Sequence, residues 1–191
     1  MAGAHALGAS RFPAFPHQEA ALTAPSLTVL IAVATLLLPA HTALQRQSDV
    51  DAVNKVIDQY GATEDAMDMQ AQARLMTADR VWVAQGGGRR TDQLTNMRIQ
   101  QAGFDAFKKQ IPGVQRFTED RDRLIRFHGK GSVAIASFYR YVTVVVPPNT
   151  PAEAARTTAN IPPAVVTLVL EKRDDDWKIV HTHISGLAQQ N

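Results

Sequence analysis

The 191-residue sequence has no cysteine. Disulfides, thiolate zinc sites, iron–sulfur clusters and a cysteine nucleophile are therefore excluded. Aromatic residues make up only 6%, and neither sign of charge dominates: 20 basic against 18 acidic side chains, a formal net charge of +2. The basic excess is too small to argue for a nucleic-acid partner, although the pI is about 9.1. No internal repeat is present. With 45% hydrophobic and 20% charged residues, the composition is that of a folded globular chain, not a disordered, collagenous or coiled-coil one. The length fits one domain with a tail.

A long hydrophobic run is also missing. The longest uncharged apolar stretch, Ser26 to Leu38, falls short of the about 20 residues a membrane span needs. It has the length of the apolar core of a secretory signal. Residues 1–24 are rich in Ala, Pro and Gly, with Arg11 and Glu19 as the only formal charges, and Pro39 to Ala43 supplies small residues suited to signal peptidase. The expected arrangement is a signal or uncleaved anchor over 1–43, cut after Ala43 or after Ala40, and a folded domain over 44–191. That predicts an exported protein, periplasmic or secreted, touching a membrane only if the N-terminal segment is retained. Without cysteine the domain must stand on its hydrophobic core, and about 150 residues can bury roughly 68–70% of the unfolded surface.

Periodicity divides the domain. Ser48 to Asp51 opens a helix in the manner of a capping box, and Val50, Val53, Val56, Ile57 and Tyr60 form its apolar face. Gly61 is expected to end or kink it. Thr63 or Asp65 then caps a shorter helix to about Met76, Thr77 to Asp79 is a turn, and Val81 to Gln85 is a strand stopping at the glycines 86–88. Thr91 to Gln110 is helix-prone although Gly103 interrupts it, with Phe104, Phe107 and Ile111 as its stripe. Beyond Pro112 the pattern is strand: 114–127, 132–146, 164–171 and 177–185. A Pro-rich loop spans 147–163, and a charged turn spans 172–176. Helices followed by antiparallel strands point to an α+β fold with helices packed on one face of the sheet.

This order resembles the SnoaL-like, or nuclear transport factor 2-like, superfamily over residues 48–187. The Val56 to Tyr60 helix, the step from Leu75 to Val83 and the Trp177 to Ser185 ending carry the resemblance. It implies a cystatin-like cone: a strongly curved antiparallel sheet wrapped around a cavity, closed by about three N-terminal helices and often paired into homodimers through the sheet. The fold hosts isomerases, cyclases, dehydratases, epoxide hydrolases, transport factors and association domains, so it names no function.

Candidate site residues follow. Strand alternation from Trp177 puts Ile179, His181, His183 and Ser185 on one face, turned toward the cavity. His181 and His183 are either general acid–base groups or strand-end residues bonded to their neighbours. A metal would need a third ligand, and the only further histidine of the domain is His128 in a turn, so neither metal nor cofactor is expected. Tyr60 is either a core tyrosine or, as the resemblance to ketosteroid isomerase-like members implies, an oxyanion donor. The aspartate base of those members falls at Ala84 or Gln85. Asp65 keeps the spacing of the dehydratase acid, but the dehydratase histidine falls at Arg116, which cannot take a proton. Arg89 and Arg90 beside a glycine turn could hold a carboxylate. Arg140 faces solvent, pairs with an acid such as Asp122, or lines a pocket. Glu119 to Arg123 reads as a solvated charge ladder. Trp82, Arg116, Arg140 and Arg89 are the expected ligand-binding residues.

Three functions stay open. The chain binds a small, partly apolar molecule in the cone; or it adds acid–base catalysis, cyclase- or hydratase-like, by His181 or His183 with Tyr60; or it is a non-catalytic assembly module. A homodimer is expected, joined through a sheet face rich in Val142, Val144 and Val146.

Overall fold

The computed structural model describes residues 27–84, 88–158 and 161–187. The side chains of 27–43 lie outside that description, and so do residues 1–26, so the proposed signal falls largely beyond it. The chain divides into two units at 41/42. The described part of the first is the helical backbone of 27–41; the second carries the sheet and the core. Among the described residues no helix is long and apolar enough to cross a membrane.

Helix α1 spans Leu27–Asp65. Val53, Val56, Ile57, Tyr60, Gly61 and Glu64 recur at helical spacing and are buried. The expected break at Gly61 does not occur, because Gly61 sits within this buried stripe. A Cβ there would lie 3.6 Å from Thr118 Cγ2, an ordinary contact distance, so the glycine neither ends the helix nor is required by packing. The chain leaves the helix at Met67, whose φ of 54° is left-handed. The short α2 is Met69–Ala73, capped by the Asp68 carboxylate accepting from Ala71 N at 2.9 Å. Thr77 to Asp79 belongs to strand β1, Met76–Val83, and is not a turn. A two-residue β2, Arg89–Arg90, pairs with it.

Helix α3, Gln93–Gln110, runs through Gly103 and is capped by Asp92, which accepts from Thr95 N at 3.1 Å. Four long strands follow: β3 Gln115–His128, β4 Val133–Val145, β5 Ala164–Arg173 and β6 Asp176–Gly186. The Pro-rich excursion holds a short helix, α4, Ala152–Thr158, with Pro151 O accepting from Ala155 N. Asp174 and Asp175, both at positive φ, make the tight turn between β5 and β6.

The sheet has the order β2-β1-β6-β5-β4-β3 and is curved and unclosed. It is mixed, not wholly antiparallel, because β1 runs parallel to β6. Its helix-facing side carries the core. Ala134, Ala136 and Phe138 of β4 stand opposite Leu170, Leu168 and Val166 of β5, and Leu170 stands opposite Ile179 of β6. These residues join Val53, Ile57, Tyr60 and Met97 in one buried cluster. Complete burial of a side chain such as Leu168 or Ile179 stabilises by about 1.5–3 kcal/mol. Val142 and Val144 share the inner face with Phe138 and Arg140. The exposed face instead shows Ile135 and Tyr139 of β4 with Phe117 and Leu124 of β3.

Candidate functional site

Against the inner face of the sheet lies a cluster of charge that three elements assemble. Tyr60 and Glu64, one helical turn apart, come from α1. Arg116 and Asp120 come from β3, and Arg140 comes from β4, where register sets it directly opposite Asp120. Arg140 grips Asp120 with two parallel bonds, Nε to Oδ1 and Nη2 to Oδ2, both 2.8 Å. Its Nη1 donates to Glu64 Oε2 at 2.9 Å, and Arg116 Nη1 donates to the same oxygen at 3.2 Å. Arg140 also stacks on Tyr60, 4.6 Å from the ring centre.

Burial pushes the Glu64 carboxyl up, but Arg140 and Arg116 more than offset it, and it is held below the ordinary value. Burial likewise pushes Arg140 down, and Glu64 and Asp120 return it well above the ordinary arginine value. Burial, then the Glu64 charge, raises the Tyr60 phenol to about 12. Tyr60 is therefore a neutral donor at physiological pH. Among the described residues its hydroxyl has no hydrogen-bond partner.

A second buried arginine is differently placed. Arg80 of β1 is 1% exposed. Its Nη1 donates to Gln93 Oε1 at 3.2 Å and touches the Met76 thioether, a weak acceptor. Its Nε and Nη2 have no partner, and no carboxylate pairs with it among the described residues. Burial pushes its pKa down, while the nearby Tyr60 and Glu64 push it up. A guanidinium keeps its proton regardless. Each buried donor left unpaired costs about 1–3 kcal/mol, more on a charged group. Thr182 Oγ1, fully buried on β6, is likewise unpartnered.

Gln93 links Arg80 to a pocket of about 630 Å³ between α2, α3 and β1. Met69, Ala73, Ala78, Leu94 and Met97 supply its apolar wall; its charged groups are Asp68, Asp92 and Arg98, and its amides Gln70, Gln93 and Gln101. Volume and lining are those of a site for a small organic molecule. Among the described residues no group of three or more His, Asp or Glu side chains is placed to hold a metal ion.

The SnoaL-like domain family matches residues 53–189. The chain belongs to that family. The fold recurs in an NTF2-like protein with a cystatin-like fold from Novosphingobium aromaticivorans (14% identity, TM-score 0.63, 81% of this chain and 92% of that one). It recurs in an NTF2-like superfamily protein from Salmonella enterica serovar Typhimurium (17%, 0.58, 76% and 96%) and in Aln2 from a Streptomyces species (17%, 0.57, 72% and 89%). At these identities the likeness is one of fold. No curated protein matches the chain.

Within this SnoaL-like domain the expected site residues separate. A bulge at Val180 breaks the alternation of β6: Leu170 pairs with Ile179, and the next residue, Val169, pairs with His181. The bulge puts Thr182, not His181 or His183, on the inner face. His181 is half-buried and His183 exposed on the outer face, so neither lines the cone. Burial, then His183 and Arg80, lowers the His181 pKa below its ordinary value. Arg140 and Arg116 do face inward, but acids occupy them; Arg140 pairs with Asp120 and Glu64, not Asp122. Asp120 is thus no rung of a solvated ladder, its side chain being 3% exposed.

Asp65 is also occupied, accepting from Thr118 N and Oγ1 at 2.9 and 2.6 Å. Arg90 stacks on Trp82, 5.0 Å from the ring centre, and bonds Asn96, while Arg89 is exposed. Of the expected residues only Tyr60 offers a free inward donor, and none of the expected set lines the 630 Å³ pocket. Arg80, Glu64 and Gln93 escape the sequence reading. Arg80 was legible in principle: alternation continued back from Trp82 reaches it and Met76, but a strand begun at Val81 leaves it out.

Proposed function

We propose that this SnoaL-like domain binds a small, partly apolar molecule in the pocket between α2, α3 and β1. The supporting observation is the pocket itself, about 630 Å³ with two methionines, a leucine and two alanines along its wall. Methionine adapts to irregular apolar shapes. Catalysis by His181 or His183 within the cone is not part of this reading, because both histidines lie on the far face of the sheet. Glu64 and Asp120 are poor substitutes as bases, since each is engaged by arginine. The test is a titration with neutral alkanols and alkanamides of six to twelve carbons, followed through the methyl resonances of Met69 and Met97. Shifts at both methyls are expected, and Met97→Trp should suppress them. Shifts confined to other methionines, or none, would remove the pocket as the binding site.

A second copy of the chain is the proposed partner of the outer sheet face. Phe117, Leu124, Ile135 and Tyr139 are 38–53% exposed there. Charges of both signs accompany them: Glu119 with Arg121, and Glu171 with Arg173. A copy related by a two-fold axis can then meet opposite charge around an apolar centre. Export is proposed on the strength of residues 26–43 alone.

A further inference from the structure

The bulge that takes His181 and His183 out of the cone sets them within the outer sheet face, and strand register names their neighbours. Ile135 of β4 stands beside Val169 of β5, Val169 beside His181, and His181 beside Val81 of β1. In the next row Ser137 stands beside Thr167, Thr167 beside His183, and His183 beside Val83. Tyr139 beside Val165 extends the band. Two imidazoles thus interrupt an otherwise uncharged, largely apolar band that crosses four strands. Neither ring has a hydrogen-bond or ion-pair partner among the described residues.

The charges around the band are engaged elsewhere. Glu171 and Arg173 of β5 pair with each other, as do Glu119 and Arg121 of β3. Lys178 of β6 lies 3.8 Å from Asp176 and donates to Arg74 O. Arg126 of β3 stands beside Ile135, and Arg80 lies behind the band on the inner face. Burial, then His183 and Arg80, resists protonation of His181. A neutral imidazole can be covered by a second apolar surface. An imidazolium covered without an anion carries the desolvation cost of an unpaired charge. A copy related by a two-fold axis brings the same band, and so further histidines in place of an acid.

We propose that the second copy covers this band only while His181 and His183 are neutral, so that the chain pairs at neutral pH and separates as the medium acidifies. This deepens the reading of the outer face as the site of a second copy, and rests on it. The sign follows from linkage: a covered band holds fewer protons than an open one, so added protons favour the separate chains.

The experiment measures the dimer dissociation constant of the purified chain by sedimentation at about pH 8 and about pH 5.5, a window that spans histidine titration while carboxylates, ordinarily near about 4, stay ionised. Dissociation should be roughly tenfold or more easier at the lower pH. The double variant His181→Gln with His183→Gln should pair equally well at both. Proton NMR of the unaltered chain supplies a second readout: the His181 midpoint should fall as chain concentration rises through the dissociation constant. A dimer equally tight at both pH values, with an unmoved midpoint, overturns the switch and leaves the dimer intact. A monomer at both overturns the switch and the dimer together. An undiminished pH dependence in the folded double variant shows that other groups take the proton, and overturns the assignment to these histidines. The measurements on the unaltered chain need no variant, so a double variant that fails to fold leaves the proposal open to refutation.

Discussion

Arg140 and Arg80 are both buried, yet only Arg140 forms ion pairs with carboxylates among the described residues. Removing one partner of a buried pair leaves a charge uncompensated, which costs about 3 kcal/mol. Asp120→Ala should therefore lower unfolding stability by about 3 kcal/mol in urea, the low end of the range, because Glu64 still holds Arg140. A loss under about 1 kcal/mol would mean that solvent screens the pair. Glu64 governs acid behaviour. Its folded pKa lies below the ordinary 4.5, so its contribution is present above the unfolded value and is lost as pH falls through the folded one. Stability should drop below pH 4.5, and Glu64→Gln should flatten that slope; an unchanged slope would assign acid unfolding to other carboxylates. The histidines report differently. In a proton NMR titration His181 should show a midpoint below the ordinary 6.5; a midpoint at or above that value would mean that burial does not act on this ring.

The bulge at Val180 decides which residues of β6 meet the core. Neighbouring substitutions should expose it. Thr182→Lys places a cation at a fully buried position and should destabilise by about 3 kcal/mol or more, while His183→Lys should change stability by no more than about 0.5 kcal/mol. Unbroken alternation from Trp177 requires the reverse. A second prediction concerns α1. Gly61 lies mid-helix, and a methyl there meets Thr118 at ordinary contact distance, 3.6 Å. Gly61→Ala should raise stability by about 0.5–1 kcal/mol, measured by chemical denaturation. Destabilisation instead would show that the helix and β3 cannot give way even slightly.

Element types and their order were largely legible, because the buried stripe of α1 and the β-branched runs of β4 and β5 repeat with the period of their secondary structure. The failures are local. Gly61 and Gly103 look like breaks in a linear reading but lie inside helices held by packing. A bulge adds one residue without any marker of composition, and so reverses each inward assignment beyond it.

At the scale of the molecule, the outer sheet face and the leader carry the remaining expectations. Light scattering at high micromolar concentration should give the mass of two chains, and Tyr139→Glu should return one. A monomer in the unaltered chain would remove the second copy from this face. Intact mass of protein purified from its own host should begin at Leu44 if the segment 1–43 is cut as proposed; retention of that segment would favour an anchor.

The sequence by itself determined the fold class, the family and the excluded chemistries, because composition and hydrophobic period are properties of the chain read in order. It also contained Tyr60, Arg116 and Arg140 as notable residues. Only the tertiary structure decided their roles. Register across β3 and β4 sets Asp120 against Arg140, and α1 brings Glu64 to the same guanidinium from seventy-six positions away. Those acids occupy Arg140 and leave Arg80 without one. Whether a charge is paired depends on what lies beside it in space, and no spacing along the chain records that.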